Sequence, residues 1–176
     1  PSEWVKRSFD INVTGGKRVD GTPAGVNMSG TADNDYINGH GGDDTISGYS
    51  GNDALLGETG NDILNGGTGT DYLYGGADND FLQGGTGSDI LFGGTGADTF
   101  AWAAGDIGTT LQPDLDTIKD FNLAEGDKVD AKALLDALGW NGSMGTLSQF
   151  VSVSGNTIDI HNVADTLSVN IVVEGQ

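Results

Sequence analysis

The chain has 176 residues, of which 26 are acidic, 7 are basic and 31 are glycine, and its formal net charge is −19. A negative charge of this size argues against nucleic acid as a partner and favours the binding of cations. The absence of cysteine excludes disulfide bonds and thiolate metal sites, and no apolar run is long enough to span a bilayer. We therefore expect neither nucleic-acid binding nor membrane insertion.

Residues 1–29 are predicted to form an N-terminal cap or a linker. Apolar and polar side chains alternate between residues 8 and 14, which is typical of a β-strand. Residues 21–29 read GTPAGVNMS and fit the repeat that follows them, but Val26 stands where that repeat has aspartate. We expect a coil that binds no ion and closes one end of the repeat region. The alternative is a disordered linker.

Residues 30–101 consist of one nine-residue repeat that occurs eight times without interruption, from GTADNDYIN to GGTGADTFA. Position one is always glycine, position six is always aspartate, and position eight is always apolar. Positions one to five predict a turn, and positions seven to nine predict a short strand whose middle side chain points inward. Two repeats then form one coil, and successive coils stack about 4.8 Å apart. The predicted fold is an all-β parallel β-roll.

Stacking places the aspartates of position six in two columns, one for each side of the roll. The odd-numbered repeats contribute the first column and the even-numbered repeats the second: Asp35, Asp53, Asp71 and Asp89, and Asp44, Asp62, Asp80 and Asp98. Carboxylates stacked this closely repel one another unless a cation lies between them. Oxygen ligands without histidine or cysteine favour calcium over zinc or copper. We expect about six or more Ca²⁺ ions in a structural role.

The repeat resembles the RTX (repeats-in-toxin) nonapeptide, Gly-Gly-x-Gly-x-Asp-x-apolar-x, a calcium-binding sequence that forms a parallel β-roll. The resemblance implies that each ion takes the aspartate and the carbonyl groups of positions two and four from one repeat. It takes the aspartate and the carbonyl groups of positions one and three from the repeat two later. Positions two and four are Thr31, Asp33, His40, Gly42, Tyr49, Gly51, Glu58, Gly60, Gly67, Gly69, Gly76, Asp78, Gly85, Gly87, Gly94 and Gly96. Positions one and three are Gly48, Ser50, Gly57, Thr59, Gly66, Thr68, Gly75, Ala77, Gly84, Thr86, Gly93 and Thr95.

One side of the predicted roll carries an apolar stripe on its outer surface. Positions seven and nine of the odd-numbered repeats include Tyr36, Leu56, Tyr72, Tyr74, Ile90 and Phe92. A contiguous apolar stripe of this kind usually has a partner. We expect the C-terminal segment to fold back over it.

Residues 102–176 lose the nine-residue period and are predicted to form a small C-terminal capping region. Residues 131–138 fit a short helix, a β-hairpin is indicated around residues 154–156, and residues 167–173 alternate as a strand does.

The acidic sequences DTIKDF and EGDKVD after the roll resemble the C-terminal region of proteins exported by type I secretion. That resemblance implies that acids in this region complete the last calcium sites. The candidates are Asp120 and Asp127, with Asp116 behind them. Helix capping or plain solvation of these acids is the alternative.

No catalytic residue is expected, because the sequence contains neither a nucleophile elbow nor a His-Glu-x-x-His helix, and its two histidines, His40 and His161, lack further partners. The predicted function is that of a calcium-dependent folding and export module of a large secreted or cell-surface bacterial adhesin. Its expected partners are the type I secretion machinery, which meets the unfolded chain, and upstream domains of the same protein. The alternative is a C-terminal module of a secreted protease or lipase. An ice-binding roll is disfavoured, because no unbroken rank of outward threonines exists.

Overall fold

The computed structural model describes residues 16–109, 114–140, 142–143, 151–154, 156–161 and 167–174. The strands in this part of the chain are β1 (Arg18–Asp20), β2 (Asn27–Ser29), β3 (Tyr36–Asn38), β4 (Thr45–Ser50), β5 (Ala54–Thr59), β6 (Ile63–Thr68), β7 (Tyr72–Ala77), β8 (Phe81–Thr86), β9 (Ile90–Thr95), β10 (Thr99–Ala101), β11 (Gly108–Thr109), β12 (Asp114–Ile118), β13 (Lys128–Asp130), β14 (Val151–Ser154), β15 (Thr157–His161) and β16 (Leu167–Val173). One short helix, α1 (Lys132–Ala137), lies within the same ranges. No helix among the described residues is long and apolar enough to cross a membrane.

The strands of the repeats form two parallel sheets, and each coil contributes one strand to each sheet. The odd sheet has the order β1-β3-β5-β7-β9-β12-β16-β15-β14, and the even sheet has the order β13-β10-β8-β6-β4-β2. Each residue pairs with the residue 18 positions later, as Leu55 does with Leu73 and Leu64 with Leu82. The predicted parallel β-roll with two repeats per coil is therefore confirmed.

The central strands are longer than the predicted three residues. Strand β4 starts at position seven of one repeat and continues through position three of the next, because Tyr49 and Ser50 keep the parallel register with Gly67 and Thr68. Glycine at position one has no side chain, so the strand passes from the face of the sheet into the turn without steric conflict.

The core is a narrow stack of apolar side chains between the two sheets. All eight side chains of position eight are fully buried: Ile37, Ile46, Leu55, Leu64, Leu73, Leu82, Leu91 and Phe100. Met28 extends the stack at its N-terminal end, while Ile118 and Phe121 extend it at the other. The ring of Phe121 lies 6.1 Å from that of Phe100.

Both ends of the roll continue into flanking strands. Strands β1 and β2 pair in parallel with β3 and β4 at the N-terminal end, and the predicted strand between residues 8 and 14 lies outside the described residues. At the other end, β12 pairs with β9 and β13 pairs with β10, so that each sheet gains one strand after the last repeat.

The C-terminal strands join the odd sheet by their edges. Strand β16 lies between β12 and β15, and β14 and β15 pair as an antiparallel hairpin. Helix α1 occupies the predicted region, and its Leu134 and Leu135 are buried. The prediction that this segment folds back over the outer apolar stripe is wrong for its described strands, because strand-to-strand hydrogen bonding draws them into the plane of the sheet.

Candidate metal centres

The turns between the sheets bring the aspartate of every repeat to the inside of the roll. All eight position-six aspartates are buried, with exposures between 0% and 3%. The turns need left-handed backbone angles at positions two and four, as in Gly67 (φ 111°) and Gly69 (φ 136°). In the first half of the roll His40, Tyr49 and Glu58 take such angles at position two, which is costly for residues that carry a Cβ atom.

Each column of aspartates forms a ladder with the backbone. Oδ1 of each aspartate accepts the backbone N–H of the residue 18 positions earlier, which is itself an aspartate except at the start of a column: Asp53 N–H donates to Asp71, and Asp62 N–H to Asp80, at 2.7 and 2.8 Å. The spacing of the ladder is thus set by the pairing of the strands. At the N-terminal end, Val26 N–H donates to Asp44 Oδ1 at 2.8 Å, so Val26 closes the ladder without adding a carboxylate.

The second oxygen, Oδ2, has no hydrogen-bond partner in seven of the eight aspartates. These buried and unpaired oxygens belong to Asp44, Asp53, Asp62, Asp71, Asp80, Asp89 and Asp98. A buried charged group without a partner is strongly destabilising, and native proteins rarely keep one unless an ion satisfies it. The unpaired oxygens are the clearest sign that a cation belongs between the coils.

The pKa values of these carboxyl groups also show that their charged form is unfavourable when buried. Burial, together with the charges of neighbouring aspartates in the same column, raises the pKa of Asp71 to about 7 and that of Asp80 to about 8. Burial also raises the pKa values of Asp53 and Asp98 to about 6. The ladder N–H groups oppose this rise but do not overcome it. A divalent cation beside each oxygen would restore the charged form.

Glycine at position one leaves room for that cation. A Cβ atom on Gly57 would collide with Oδ2 of Asp62 and would lie 2.7 Å from the carbonyl oxygen of Gly75, in the next coil of the same side. A Cβ atom on Gly48 would meet Asp53 and the carbonyl oxygen of Gly66 in the same way. A carboxylate oxygen and a carbonyl oxygen from two coils therefore converge on a space that any side chain would fill.

The carbonyl groups of positions two and four point into the same gap from the other coil. A Cβ atom on Gly85 would collide with the carbonyl oxygen of Gly67, and one on Gly87 with that of Gly69. The carbonyl oxygen of Thr86, at position three, points back and accepts the N–H of Gly69 at 2.9 Å. The gap between two coils is thus bordered by the oxygen types that the resemblance implies.

Side-chain ligands alone would not make a site here. Among the described residues, no group of three or more histidine, cysteine, aspartate or glutamate side chains is arranged to hold a metal ion. Each gap instead combines two aspartates with backbone carbonyls, and this all-oxygen set suits Ca²⁺, which takes six to eight oxygen ligands. The residues present therefore fit calcium.

The two ends of the first column are closed by protein donors. At the start, the N–H and hydroxyl groups of Thr31 donate to Asp35 Oδ2. At the end, Asp116 Oδ1 accepts Asp89 N–H at 2.9 Å and its Oδ2 accepts Trp102 Nε1–H at 2.6 Å. The first column is therefore terminated at both ends within the chain.

Of the C-terminal candidates, Asp127 continues a ladder and Asp120 does not. Asp127 Oδ1 accepts Asp98 N–H at 3.0 Å and its Oδ2 accepts Asn122 N–H at 2.8 Å. Asp120 instead accepts the N–H groups of Gly93 and Gly94, each at 3.0 Å, beside the last turn.

Sequence reasoning gave Asp116 too small a role and missed Asp114. Asp116 follows Asp89 by 27 residues, an odd number of repeat lengths, so the period alone would have assigned it to the opposite column. The carboxylate of Asp114 accepts the N–H of Gly87, a position-four N–H that in earlier coils finds a backbone carbonyl.

The repeats match a known family model. Residues 29–64, 47–82 and 65–100 each match the model of the RTX calcium-binding nonapeptide repeat (four copies). No curated protein sequence matches the chain. Among solved structures, it is similar to the AlgE6R3 subunit from the Azotobacter vinelandii mannuronan C5-epimerase, with 30% identity and a TM-score of 0.38 over 90% of this chain and 77% of that one. The AlgE6R2 subunit of the same enzyme is 26% identical, with a TM-score of 0.45 over 91% of this chain and 85% of that one.

Proposed function

Because this chain belongs to the family of RTX calcium-binding repeat proteins, we propose that calcium acts as its folding switch. The chain is unfolded at low calcium and forms the roll when calcium fills the gaps between the coils. The observation that carries this proposal is the set of seven buried carboxylate oxygens without partners. Calcium supplies the positive charge and the coordination that these oxygens lack.

We place one ion at each unpaired oxygen, which gives seven sites along the two columns. The gap after Asp71 is an example: Asp71 and Asp89 supply carboxylates, and the carbonyl groups of Gly67, Gly69 and Gly84 border the space. The gap after Asp35 is different, because Thr31 already satisfies its second oxygen. Asp35 therefore anchors the ladder without needing an ion.

Without calcium, two costs oppose folding. The columns bring carboxylates together in a buried setting, and the 31 glycines lose more backbone entropy on ordering than other residues do. The narrow core, with one apolar side chain per repeat, offsets only part of these costs. An unfolded apo chain and a folded holo chain are the expected result.

Such a switch suits export, and we propose that the module belongs to a large secreted or cell-surface bacterial adhesin that leaves the cell by type I secretion. An unfolded chain can pass through a narrow conduit, and extracellular calcium near millimolar levels fills sites of the weaker type. The lack of cysteine agrees with a route that does not use an oxidising compartment. RTX repeat proteins are typically secreted, and we propose no catalytic role for this module.

The test is a calcium titration followed by far-UV circular dichroism, with magnesium as the control ion. We expect a cooperative transition from coil to β-structure with calcium and none with magnesium, because Mg²⁺ demands a smaller octahedral site and dehydrates reluctantly. Full β-structure in the presence of a chelator would show that the aspartate columns do not govern folding.

A further inference from the structure

A second set of hydrogen bonds, which we call the outer ladder, runs along the turns and is formed by the side chains of position five. In five places among the described residues, Oδ1 of an asparagine or aspartate accepts the backbone N–H of the residue 18 positions later. The donors and acceptors are Asn52 and Asn34, Asn61 and Asp43, Thr70 and Asn52, Asn79 and Asn61, and Ala97 and Asn79, at 2.8 to 3.3 Å. Position five supplies none of the ligands that the resemblance implies, and four of the five acceptors are exposed. Neither coordination nor core packing therefore accounts for these side chains.

The outer ladder runs in the direction opposite to that of the aspartate ladder. At position six, Asp71 N–H points toward the later coil and donates to Asp89 at 2.8 Å. At position five, Thr70 N–H points toward the earlier coil and donates to Asn52 at 2.9 Å. In a trans peptide the N–H group and the C=O group before it point in opposite directions. The bond to Asn52 therefore turns the carbonyl group of Gly69 toward the later coil.

This is the direction that a calcium ligand at position four needs. A Cβ atom on Gly87, in the later coil, would collide with the carbonyl oxygen of Gly69. The same gap contains the buried and unpaired Oδ2 of Asp71. Glycine restricts the rotation of its peptide group very little, so a hydrogen bond from outside the turn is needed to keep the carbonyl group in place.

The residue types at position five agree with this role. Each side chain serves the repeat two later, so the last repeat on each side has no later repeat to hold. Those two repeats carry Ser88 and Ala97, whereas the other six carry asparagine or aspartate except at Thr70. Asparagine and aspartate have a short side chain whose oxygen readily accepts a nearby backbone N–H. Ser88 instead accepts the N–H of Leu115, in the cap, at 3.1 Å.

We propose that the position-five asparagines and aspartate are positioning residues for calcium, each holding one peptide group so that the carbonyl group of position four faces an ion. The proposal rests on the calcium sites of the proposed function. The positioning residues are Asn34, Asp43, Asn52, Asn61 and Asn79, and the carbonyl groups that they orient belong to Gly51, Gly60, Gly69, Asp78 and Gly96. The same five repeats contain the unpaired oxygens of Asp53, Asp62, Asp71, Asp80 and Asp98.

The Asn52→Ala variant of the full chain tests the orienting role by NMR in saturating calcium. The HNCO signal of Thr70 reports its N–H group together with the carbonyl group of Gly69. We expect the Thr70 amide to exchange with solvent about fivefold faster, because one net hydrogen bond is lost, and the Gly69 carbonyl signal to shift. The Asn61 amide and the Gly60 carbonyl group, in the other column, should keep their wild-type signals, whereas a general loss of stability would affect both columns.

Two further variants separate positioning from simple loss of a side chain. Asn52→Asp should restore the slow exchange of Thr70, because Asp43 holds the corresponding amide in the other column. Asn65→Ala removes an asparagine from β6, outside the turns, and should leave the Thr70 and Gly69 signals unchanged. Wild-type signals for Thr70 and Gly69 in Asn52→Ala would overturn the proposal.

The link to calcium is tested by changing the four asparagines of the outer ladder to alanine together. Four sites that each weaken about fivefold, among seven cooperatively bound ions, should raise the calcium midpoint of folding about 2.5-fold. An unchanged midpoint would overturn the positioning role. If the fourfold variant does not fold in excess calcium, the spectra of Asn52→Ala decide alone. β-Structure that persists in wild type in EGTA would refute the calcium switch, whereas a shifted Gly69 signal in Asn52→Ala would still support the orienting role of Asn52.

Discussion

Replacement of Asp71 by asparagine isolates the charge that the columns contribute. Asparagine keeps the volume and the Oδ1 atom that accepts Asp53 N–H at 2.7 Å, but it removes the unpaired buried Oδ2. Loss of one partner from a buried charge pair costs about 3–5 kcal/mol. Spread over seven cooperatively bound ions, this cost raises the calcium midpoint of folding roughly two- to threefold, since about 1.4 kcal/mol corresponds to a factor of ten.

The assay is a calcium titration of Asp71→Asn followed by circular dichroism, beside wild type and Asp43→Asn. Asp43 is an exposed acid that accepts the N–H of Asn61 outside the columns, so Asp43→Asn makes the same change in charge without removing a column carboxylate. We expect its midpoint to stay within about 1.3-fold of wild type, because exposed charges are well screened. An unchanged midpoint for Asp71→Asn would contradict the assignment of Oδ2 to a cation.

Three further changes test other parts of the structure. Gly57→Ala should remove one ion from the stoichiometry measured by isothermal titration calorimetry, because the added Cβ atom would fill the space between Asp62 and the next coil. The control is Gly105→Ala, which should leave the stoichiometry unchanged because its Cβ atom would have no neighbour within 4 Å. Tyr49→Gly should raise the free energy of unfolding in calcium by about 0.5–1 kcal/mol, because it removes a side chain from a residue in a left-handed backbone conformation. A lower free energy of unfolding, measured by urea denaturation, would contradict this. In a chelator, lowering the pH from about 8 to about 4 should increase β-structure, because the raised pKa values of Asp71 and Asp80 mean that the folded state binds more protons than the unfolded chain; a loss of β-structure on acidification would argue against buried columns.

The repeat region could be predicted almost completely because its nine-residue period determines the positions of both the core side chains and the aspartates. Nine residues return the chain to an equivalent position on the opposite side of the roll, so one alignment places both the core and the aspartates. The side chain of Leu64 and the carboxylate of Asp62 are set by the same register. The extra length of the strands was missed, because glycine-rich positions carry little strand propensity and are held extended only by the neighbouring coils.

The caps were harder to predict, because their residues reach the roll by tertiary docking and not by the period. Asp127 follows Asp98 by 29 residues, which is not a multiple of nine, yet it takes the ladder position. Asp120 has the same local composition around it but meets the N–H groups of the last turn instead. Composition identifies these acids as candidates, while only the pairing of β12 and β13 with the last coil decides which one joins the ladder.

The two halves of the roll differ in strain, and this difference bears on the order in which they form. Repeats two, three and four hold His40, Tyr49 and Glu58 in left-handed conformations, whereas the corresponding positions of repeats five to eight are all glycine. The second half is also the half that Asp116 and Asp127 close. Because its turns cost less strain and its columns end on fixed protein donors, the second half should be the more stable one, with slower amide hydrogen exchange in β7–β10 than in β3–β6. Equal exchange in the two halves would mean that calcium binding outweighs the backbone strain of the turns.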